Sequence, residues 1–438
     1  MIKNKLQILL MVILLAACNS PNVSRVTDIP PSETTEPTDT FALPSPTVTV
    51  FHQPTESRMN ATLTPSESPT SQLTTPMSVK TVTATSLPNL ITKCVEIGSE
   101  MPLESVAHSG TVVITPLNAS PYLLDLQTSQ SHDLPMNVPD HHLLADMEVS
   151  PDRNRLAYVE TTRNQGGDIV GRHLWVVTAD GQVLASRAFE LGWSWMRWLD
   201  NERLEIYWWE APTAGTVIIL NPFNGEQQVL TPSFPDIYND SFNPSYWMVM
   251  YSPDLEWVLY LSNDDRYLGK AVVWDLVKGN VIWQHAEEGV GTTTQIPAWS
   301  PLGDQVAVVV GNHLFRVSRS GLATPLPDIG EDEIRRFNWS PDSSHIAFLA
   351  SAHDWETRRL FILETTGNQV IDLCLDTTMA GGYPPLWSPD GLQFTFSRAV
   401  EYVDGSEVGE DIVVDINKGT ANLIPNDEVP SAWMRSVP

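Results

Sequence analysis

The pattern of apolar and polar residues divides the chain into three regions. An almost unbroken apolar run covers residues 6–15. In residues 19–92 the scattered apolar positions repeat with neither the period of a strand nor that of a helix. From about residue 94, short alternating runs rich in aromatic and β-branched residues continue to the C-terminus. The pattern predicts a leader segment, a segment without regular structure and an all-β domain.

A short phrase recurs in the third region, each time a few residues before an alternating strand. Serine and proline form its centre, an aromatic or apolar residue precedes them, and aspartate usually follows. The copies lie at residues 149–152, 251–254, 299–302, 339–342 and 387–390, with a weaker form at 198–202. Serine, proline and aspartate favour successive positions of a type I turn, so the phrase predicts a tight hairpin.

A second marker is in phase with the first. Turn glycines follow a later strand of each unit, at Gly181, Gly225, Gly279, Gly321, Gly367 and Gly419. Glycine readily adopts the positive φ that tight hairpins need. Two such turns in each unit predict a four-stranded antiparallel sheet. A single sheet of this kind buries both of its faces only by stacking radially on similar sheets.

The phrase resembles the WD40-like (PD40) repeat of TolB-type β-propellers, and its fullest copy is Trp387-Ser388-Pro389-Asp390-Gly391. The resemblance implies a β-propeller over residues 93–438. Six units carry the phrase and residues 94–145 read as another, which favours seven four-stranded blades, with six or eight as alternatives. We expect the leftover strand at 431–434 to close the ring on the first blade. The resemblance does not cover the N-terminal α/β domain of TolB, so a role in the Tol–Pal system is not implied.

The beginning of the chain resembles a bacterial lipoprotein signal. Lys3 and Lys5 precede the apolar run, which is too short to span a bilayer comfortably, and Leu15-Ala16-Ala17-Cys18 follows it. This tetrapeptide resembles the lipobox, which implies removal of residues 1–17 and attachment of lipid, with acyl chains such as palmitate, at Cys18. Two or more acyl chains anchor a protein stably. The alternative is an ordinary signal peptide with an incidental cysteine.

Residues 18–92 predict a disordered linker between anchor and propeller. Serine, threonine and proline dominate this segment, which therefore buries too little apolar surface to offset its chain entropy. An exported protein can form disulfides, and Cys94 and Cys374 are the two remaining cysteines. No sequence argument places them within bonding distance, so their pairing stays open.

The charge and the motifs restrict the possible chemistry. The chain has 25 basic and 53 acidic residues, a net charge of −28 that argues against a nucleic-acid partner. Motifs of the G-x-S-x-G, H-E-x-x-H, P-loop and C-x-x-C types are missing, so we predict no catalytic residue, metal or cofactor. His141-His142 and the acidic stretches at 263–265 and 404–411 are interpreted as solvated loops rather than metal sites.

Aromatic residues are unusually dense between positions 193 and 209. Flat aromatic faces stack on sugars or anchor protein partners, which makes Trp193, Trp195 and Trp209 candidate ligand-binding residues. The alternative interpretation packs these aromatic side chains between blades, and Trp198, at the aromatic position of the phrase, is expected in the core.

The sequence therefore predicts a lipid-anchored extracytoplasmic β-propeller, at the cell surface or in the periplasm. We expect it to act as a binding or scaffold module for an envelope protein, peptide or glycan, because loops on a rigid scaffold make good binding sites. The alternative is an envelope hydrolase or lyase with a site at the mouth of the propeller channel.

Overall fold

The computed structural model describes part of the chain between residues 90 and 436. The described residues are 90–116, 120–136, 142–164, 169–189, 195–207, 216–231, 249–263, 269–287, 297–311, 313–327, 329, 333–351, 357–378, 385–403, 406–425 and 430–436. The chain divides into units 1–80 and 81–438, and the described residues belong to the second unit. Cys18, Trp193, Trp209 and the predicted linker up to residue 89 lie outside the described residues.

The described residues form seven sheets, the blades of a seven-bladed β-propeller, which confirms the favoured blade number. Blade 1 contains β3 (Thr111–Ile114), β4 (Tyr122–Asp125), β5 (Gln130–Asp133) and β30 (Pro430–Met434). Blade 2 contains β6 (His142–Val149), β7 (Arg155–Arg163), β8 (Ile169–Thr178) and β9 (Val183–Phe189). Blade 3 contains β10 (Met196–Trp198), β11 (Leu204–Tyr207), β12 (Val217–Leu220) and β13 (Gln227–Leu230).

The remaining blades follow in chain order. Blade 4 contains β14 (Val249–Tyr251), β15 (Trp257–Asn263), β16 (Gly269–Asp275) and β17 (Asn280–Glu287). Blade 5 contains β18 (Ala298–Trp299), β19 (Gln305–Val310), β20 (His313–Ser318) and β21 (Ala323–Pro325). Blade 6 contains β22 (Glu333–Trp339), β23 (His345–Ser351), β24 (Thr357–Glu364), β25 (Gln369–Thr378) and also β1 (Leu90–Thr92). Blade 7 contains β26 (Leu386–Trp387), β27 (Gln393–Val403), β28 (Ser406–Asp415), β29 (Thr420–Ile424) and also β2 (Glu96–Ile97).

An N-terminal arm, residues 90–106, runs along the outer edges of two blades. β1 pairs in parallel with β25, and β2 pairs in parallel with β29, so blades 6 and 7 each have one strand more than the predicted four. β1 lies within the last residues of the predicted linker. The arm ends in the short helix α1 (Leu103–Val106), whose Leu103 and Val106 are buried.

The C-terminal strand closes the ring. β30 pairs antiparallel with β3, with Val112 opposite Trp433 and Thr111 opposite Met434. Blade 1 therefore takes strands from both ends of the domain, as the leftover strand of the sequence predicted.

The Ser-Pro phrase forms the turn between the first and second strands of a blade. In the copy at residues 340–345, the Ser340 hydroxyl donates a 2.6 Å hydrogen bond to Asp342 and accepts a 2.9 Å bond from the backbone N–H of His345. The N–H of Ser343 donates to the carbonyl of Ser340 over 2.9 Å, which closes the predicted type I turn. The residue after the aspartate position has positive φ, 61° at Ser343 and 71° at Gly391.

The hydrophobic core is divided among the seven junctions between neighbouring blades. Each junction has its own cluster of buried side chains from two adjacent sheets. Along β7, Leu156 and Tyr158 pack towards blade 1, whereas Ala157 and Val159 pack towards blade 3. Successive side chains of a strand point to opposite faces, so a sheet between two neighbours is buried along unbroken runs of residues.

Four tryptophans at the aromatic position of the phrase connect one blade to the preceding one. Each indole N–H donates to a backbone carbonyl in the first strand of the preceding blade. The pairs are Trp198 with Glu148 (2.8 Å), Trp299 with Met250 (3.3 Å), Trp339 with Ala298 (3.0 Å) and Trp387 with Asn338 (3.2 Å). The phrase thus fixes both a turn and a junction, because its aromatic residue satisfies a polar group of the neighbouring sheet.

We expect Ser340→Ala to lower the free energy of unfolding by about 1–2 kcal/mol, because the buried hydroxyl holds both the turn aspartate and the next strand. Chemical denaturation followed by tryptophan fluorescence would measure the change. Thr366→Ala, at an exposed turn position of the same blade, is the matched control and should change stability by less than about 0.5 kcal/mol. Equal effects of the two substitutions would contradict the role given to Ser340.

Candidate functional site

The first strands of neighbouring blades contact each other, as β6 does with β10 and with β30, which places them closest to the propeller axis. Ionisable side chains gather there in blades 2 and 3. This axial cluster consists of Asp146, Glu148, Arg153, Arg197 and Glu205. Asp146 and Glu148 lie on β6, Arg153 on the Ser-Pro turn that follows, Arg197 on β10 and Glu205 on β11.

Arg197 and Glu205 form the most buried part of the axial cluster. They face each other across the β10–β11 pair, and the Arg197 guanidinium donates both to the Glu205 carboxylate and to the carbonyl of Tyr251 in blade 4. The backbone N–H of Tyr251 donates to the other Glu205 oxygen over 3.2 Å. Burial raises the pKa of Glu205, and the Arg197 charge opposes this shift. The pair therefore connects blade 3 to blade 4 through both oxygens of one carboxyl.

Arg153 extends across the point where the ring closes. Its guanidinium lies 3.4 Å from the carbonyl oxygen of Trp433 in blade 1 and 3.5 Å from that of Trp387 in blade 7. Its own carbonyl accepts a 2.8 Å hydrogen bond from the N–H of Arg435. Burial lowers the pKa of Arg153 to about 10, with Glu148 opposing the shift and Arg435 adding to it. The Arg153 side chain of blade 2 thus contacts the closing strand β30 of blade 1 and the first strand of blade 7.

Asp146 and Glu148 are carboxyls whose pKa values are raised towards the neutral range. Burial raises the pKa of Asp146 to about 7, although the N–H of Met196 donates to this carboxyl. Burial and the nearby Asp146 raise the pKa of Glu148 to about 8, against the attraction of Arg197 and Arg153. Such a pair can donate hydrogen bonds to a ligand or exchange protons with it at neutral pH.

The axial cluster escaped the sequence analysis because its members come from separate repeats. Glu148 and Arg197 occupy the same position of the phrase, directly before its aromatic or apolar residue, in consecutive units. Equivalent positions of consecutive blades become neighbours at the axis, so alignment of the units with each other would have revealed the opposite charges. Within the described residues, His, Cys, Asp and Glu form no group that could hold a metal ion.

Trp195 is the one candidate aromatic residue within the described residues. Its indole stacks on the Tyr207 ring with the centroids 5.6 Å apart and the planes 13° from parallel. The side chain is half-buried and packs against the core clusters on both sides of blade 4. Trp198 lies in the core, 5% exposed. Because Trp193 and Trp209 lie outside the described residues, the ligand-binding role of all three candidate tryptophans stays a prediction.

A disulfide joins Cys94 of the N-terminal arm to Cys374 on β25. Their Cα atoms are 4.8 Å apart, although 280 residues separate them in the sequence. Hydrogen bonds from Lys93 N–H to the Asp372 carbonyl (2.8 Å) and from Val95 N–H to the Leu373 carbonyl (3.1 Å) flank the bond. The arm is thus fixed covalently to blade 6.

Blades 2–7 each have two tight turns at one edge of the sheet, and blade 1 has one there, between β4 and β5. In an antiparallel blade, the turn between the first two strands and the turn between the last two lie at the same edge, so together they form what we call the turn face. Hydrogen bonds join the two turns within single blades, as between Leu276 N–H and the Glu256 carbonyl (2.8 Å). The three most exposed apolar residues of this face among the described residues are Val277 (73%), Leu302 (70%) and Leu322 (60%), all in blades 4 and 5, and Leu392 of blade 7 is 45% exposed.

Comparison with known proteins gives structural likeness without a close relative. No family model matches the sequence, and no curated protein matches it. Similar solved structures include TolB from Acinetobacter baumannii, which is 15% identical, with 81% of this chain and 89% of that chain covered and a TM-score of 0.42. A periplasmic gluconolactonase from Pseudomonas aeruginosa is 13% identical over 76% of this chain and 100% of that chain, with a TM-score of 0.46. An oligogalacturonate lyase from Vibrio parahaemolyticus is 12% identical over 72% and 86%, with a TM-score of 0.46.

The raised pKa values of the axial carboxyls predict a pH-dependent stability. Glu148 binds its proton more tightly in the folded protein than its ordinary pKa of 4.5 allows in the unfolded chain. The folded state therefore holds more protons between about pH 4.5 and 8, and its stability falls as pH rises through this window. We expect Glu148→Gln to raise the free energy of unfolding by about 1–2 kcal/mol at pH 8.5, with a much smaller gain at pH 5.

Denaturant unfolding of the wild type and the variant from pH 5 to pH 8.5 measures this effect. Glu202→Gln replaces an exposed glutamate on the adjacent turn of blade 3 and should leave the pH profile of stability unchanged. A Glu148→Gln profile parallel to that of the wild type would contradict the assignment.

Proposed function

We propose that this protein is a lipid-anchored, extracytoplasmic binding module that presents its propeller to an envelope protein, peptide or glycan. The observation that carries the proposal is the exposure of Val277, Leu302 and Leu322 on the turn face. These side chains stand on turns fixed by internal hydrogen bonds, so a partner that buries them orders little additional chain. Apolar side chains held at the tips of a rigid scaffold are suited to recognition.

The anchor rests on the order of the N-terminal features. Positive charge, an apolar run, two small residues and Cys18 follow one another as lipid attachment requires. A lipid anchor needs no membrane-spanning helix, and no helix within the described residues is long and apolar enough to cross a bilayer. The serine-, threonine- and proline-rich segment up to residue 89 would let the propeller reach beyond the membrane surface.

We expect Cys18→Ser to abolish attachment of fatty acid to the protein, because the acyl chains would have no attachment point. Fractionation with metabolic labelling by an alkyne-tagged fatty acid measures both the location and the lipid. Cys94→Ser is the control and should retain label and membrane association. Fatty-acid label on the Cys18→Ser protein would contradict the anchor.

We expect cross-linking in living cells to capture a partner that depends on the propeller. The matched control chain ends at residue 89, directly before β1, and therefore keeps the anchor and linker without any described strand. Affinity capture and mass spectrometry would compare the two chains. A partner found only with the propeller supports the binding role, whereas identical sets of cross-linked proteins argue against it.

A second candidate function is an envelope hydrolase or lyase that acts near the propeller axis. The observation that favours it is the pair Asp146 and Glu148, two carboxyls with raised pKa values beside two arginines. A carboxyl with a pKa near 7 is suited to general acid–base chemistry. Glu148→Gln separates the two candidates, since loss of substrate turnover would support the enzyme and an unchanged set of partners would support the binding module.

A further inference from the structure

The repeats of the propeller provide an internal reference for what each turn needs structurally. At the fourth position of the Ser-Pro phrase, four of the five clear copies have aspartate, whereas the copy in blade 5 has Leu302. The structural role of that aspartate passes to Asp304, which accepts a 2.7 Å hydrogen bond from the Ser300 hydroxyl. The Leu302 side chain therefore takes no part in the hydrogen bonds of the turn, and the four copies with aspartate show that a turn of this kind needs no apolar residue at this position.

The same comparison identifies Val277 as exceptional. It occupies the tip of the turn between the third and fourth strands of blade 4. The corresponding turns have Gln127 in blade 1, Thr366 in blade 6 and Asn417 in blade 7. Blade 3 has Phe223, whose ring stacks on Trp198 and lies 5.2 Å from the Arg155 guanidinium carbon, so it has packing partners. Val277 remains 73% exposed.

Leu322 is the third exposed apolar residue on these turns. It follows Gly321 in the corresponding turn of blade 5, where the similar turn of blade 2 places Gln182 after Gly181. At these three positions in adjacent blades, an apolar residue is exposed where most of the equivalent turns use polar residues. Less exposed apolar residues at turns of this kind are Phe223 in blade 3 (36%) and Leu392 in blade 7 (45%). Single exposed apolar residues are common, but their concentration in one sector indicates a contact surface.

The three turns that carry these residues form one connected sector with a fourth turn, residues 252–256 of blade 4. Arg319 links them, because its guanidinium donates to Asp254 and over 2.8 Å to the Gly303 carbonyl, and it lies 5.8 Å from the centre of the Trp257 ring. Its N–H donates to the Asp304 carbonyl over 3.2 Å. Together with the Leu276–Glu256 hydrogen bond, these contacts join all four turns. The backbones that carry the apolar side chains are therefore connected to each other.

The charges at the rim of this sector are predominantly acidic. The four turns contain three exposed acidic residues, Asp254, Glu256 and Asp304, together with the buried Asp275, and two basic residues, Lys278 and Arg319. Both bases are already in ion pairs, Lys278 with Asp275 at 2.9 Å and Arg319 with Asp254. No basic residue of these turns remains to balance Glu256 and Asp304. The chain as a whole carries a net charge of −28, so the field around the sector favours a positive partner.

We propose that the turn-face sector of blades 4 and 5 docks a basic, amphipathic polypeptide segment, whose apolar side chains cover Val277, Leu302 and Leu322 while its lysines or arginines face the acidic rim. The apolar contacts supply affinity, and the charges supply orientation and on-rate. This inference rests on the proposed binding function and specifies the chemical class of its partner.

The test uses the full chain with Cys18→Ser, which removes the attachment point of the acyl chains, and three fluorescent synthetic peptides of equal length. One alternates leucine with lysine, one leucine with glutamate and one serine with lysine. Fluorescence anisotropy at about 0.15 M salt measures their affinities. We expect the leucine–lysine peptide to bind at least tenfold more tightly than either of the other two.

Each test substitution introduces the residue that another blade has at the equivalent turn position, so the new side chain is compatible with a turn of that type. Leu302→Asp restores the usual phrase and adds negative charge. We expect it to weaken binding of the leucine–lysine peptide by about tenfold, and Val277→Asn and Leu322→Gln by about threefold each. Val229→Asn, at a 54% exposed position on the outer strand β13, is the matched control and should leave the affinity unchanged.

An unchanged or tighter affinity for Leu302→Asp would overturn the proposal, because it would show attraction by charge alone. Equal binding of the leucine–glutamate peptide would overturn it as well. Cellular cross-linking with a variant that carries Leu302→Asp, Val277→Asn and Leu322→Gln together then distinguishes failure of this docking site from failure of the proposed binding function. A propeller-dependent partner that survives in the triple variant leaves the binding function intact but removes this sector as its site.

Discussion

Each sheet of the propeller buries its two faces against the two neighbouring sheets. None of the blades can form a core alone, and the seven apolar clusters each belong to a pair of blades. The tryptophans of the Ser-Pro phrase add a directed hydrogen bond to this packing, for example from Trp339 to the Ala298 carbonyl. Because the indole reaches a fixed residue of the preceding blade, it sets the register between sheets as well as their contact. Equivalent positions of consecutive repeats thereby become neighbours at the axis.

The features that could be predicted from the sequence are those that recur in several repeats. The phrase, as at Ser252, Ser300, Ser340 and Ser388, marks a turn in its blade, and its phase with the later glycines predicted the four-stranded sheets. The favoured count of seven also needed the unit at 94–145, which lacks the phrase, and the closing strand was predicted from the leftover residues 431–434. β1 and β2 left no such signal, since Leu90–Thr92 and Glu96–Ile97 are too short to show a period and are largely exposed. Their position depends on hydrogen bonds to the edges of distant strands, which no local pattern records.

The axial cluster was beyond the sequence analysis for a different reason. Glu148 and Arg197 each look unremarkable within their own unit, and only the ring brings them together. Arg153 takes the position that Gly391 occupies in the fullest copy of the phrase, so an arginine with positive φ reaches the carbonyls of the closing blades. In both cases the charged residue of the axial cluster stands at a position where its repeat differs from the other repeats. The exposed leucine and valine tips of blades 4 and 5 follow the same logic on the turn face.

The disulfide of the N-terminal arm determines how tension along the chain enters the domain. A pull on the chain from the N-terminal side meets the Cys94–Cys374 bond before it reaches β3, the strand that holds the ring closed with β30. The force passes into blade 6 through this covalent bond, so it does not act directly on the hydrogen bonds between β3 and β30. Tension applied to the N-terminal arm would therefore reach the pair of strands that closes the ring only after the disulfide had broken.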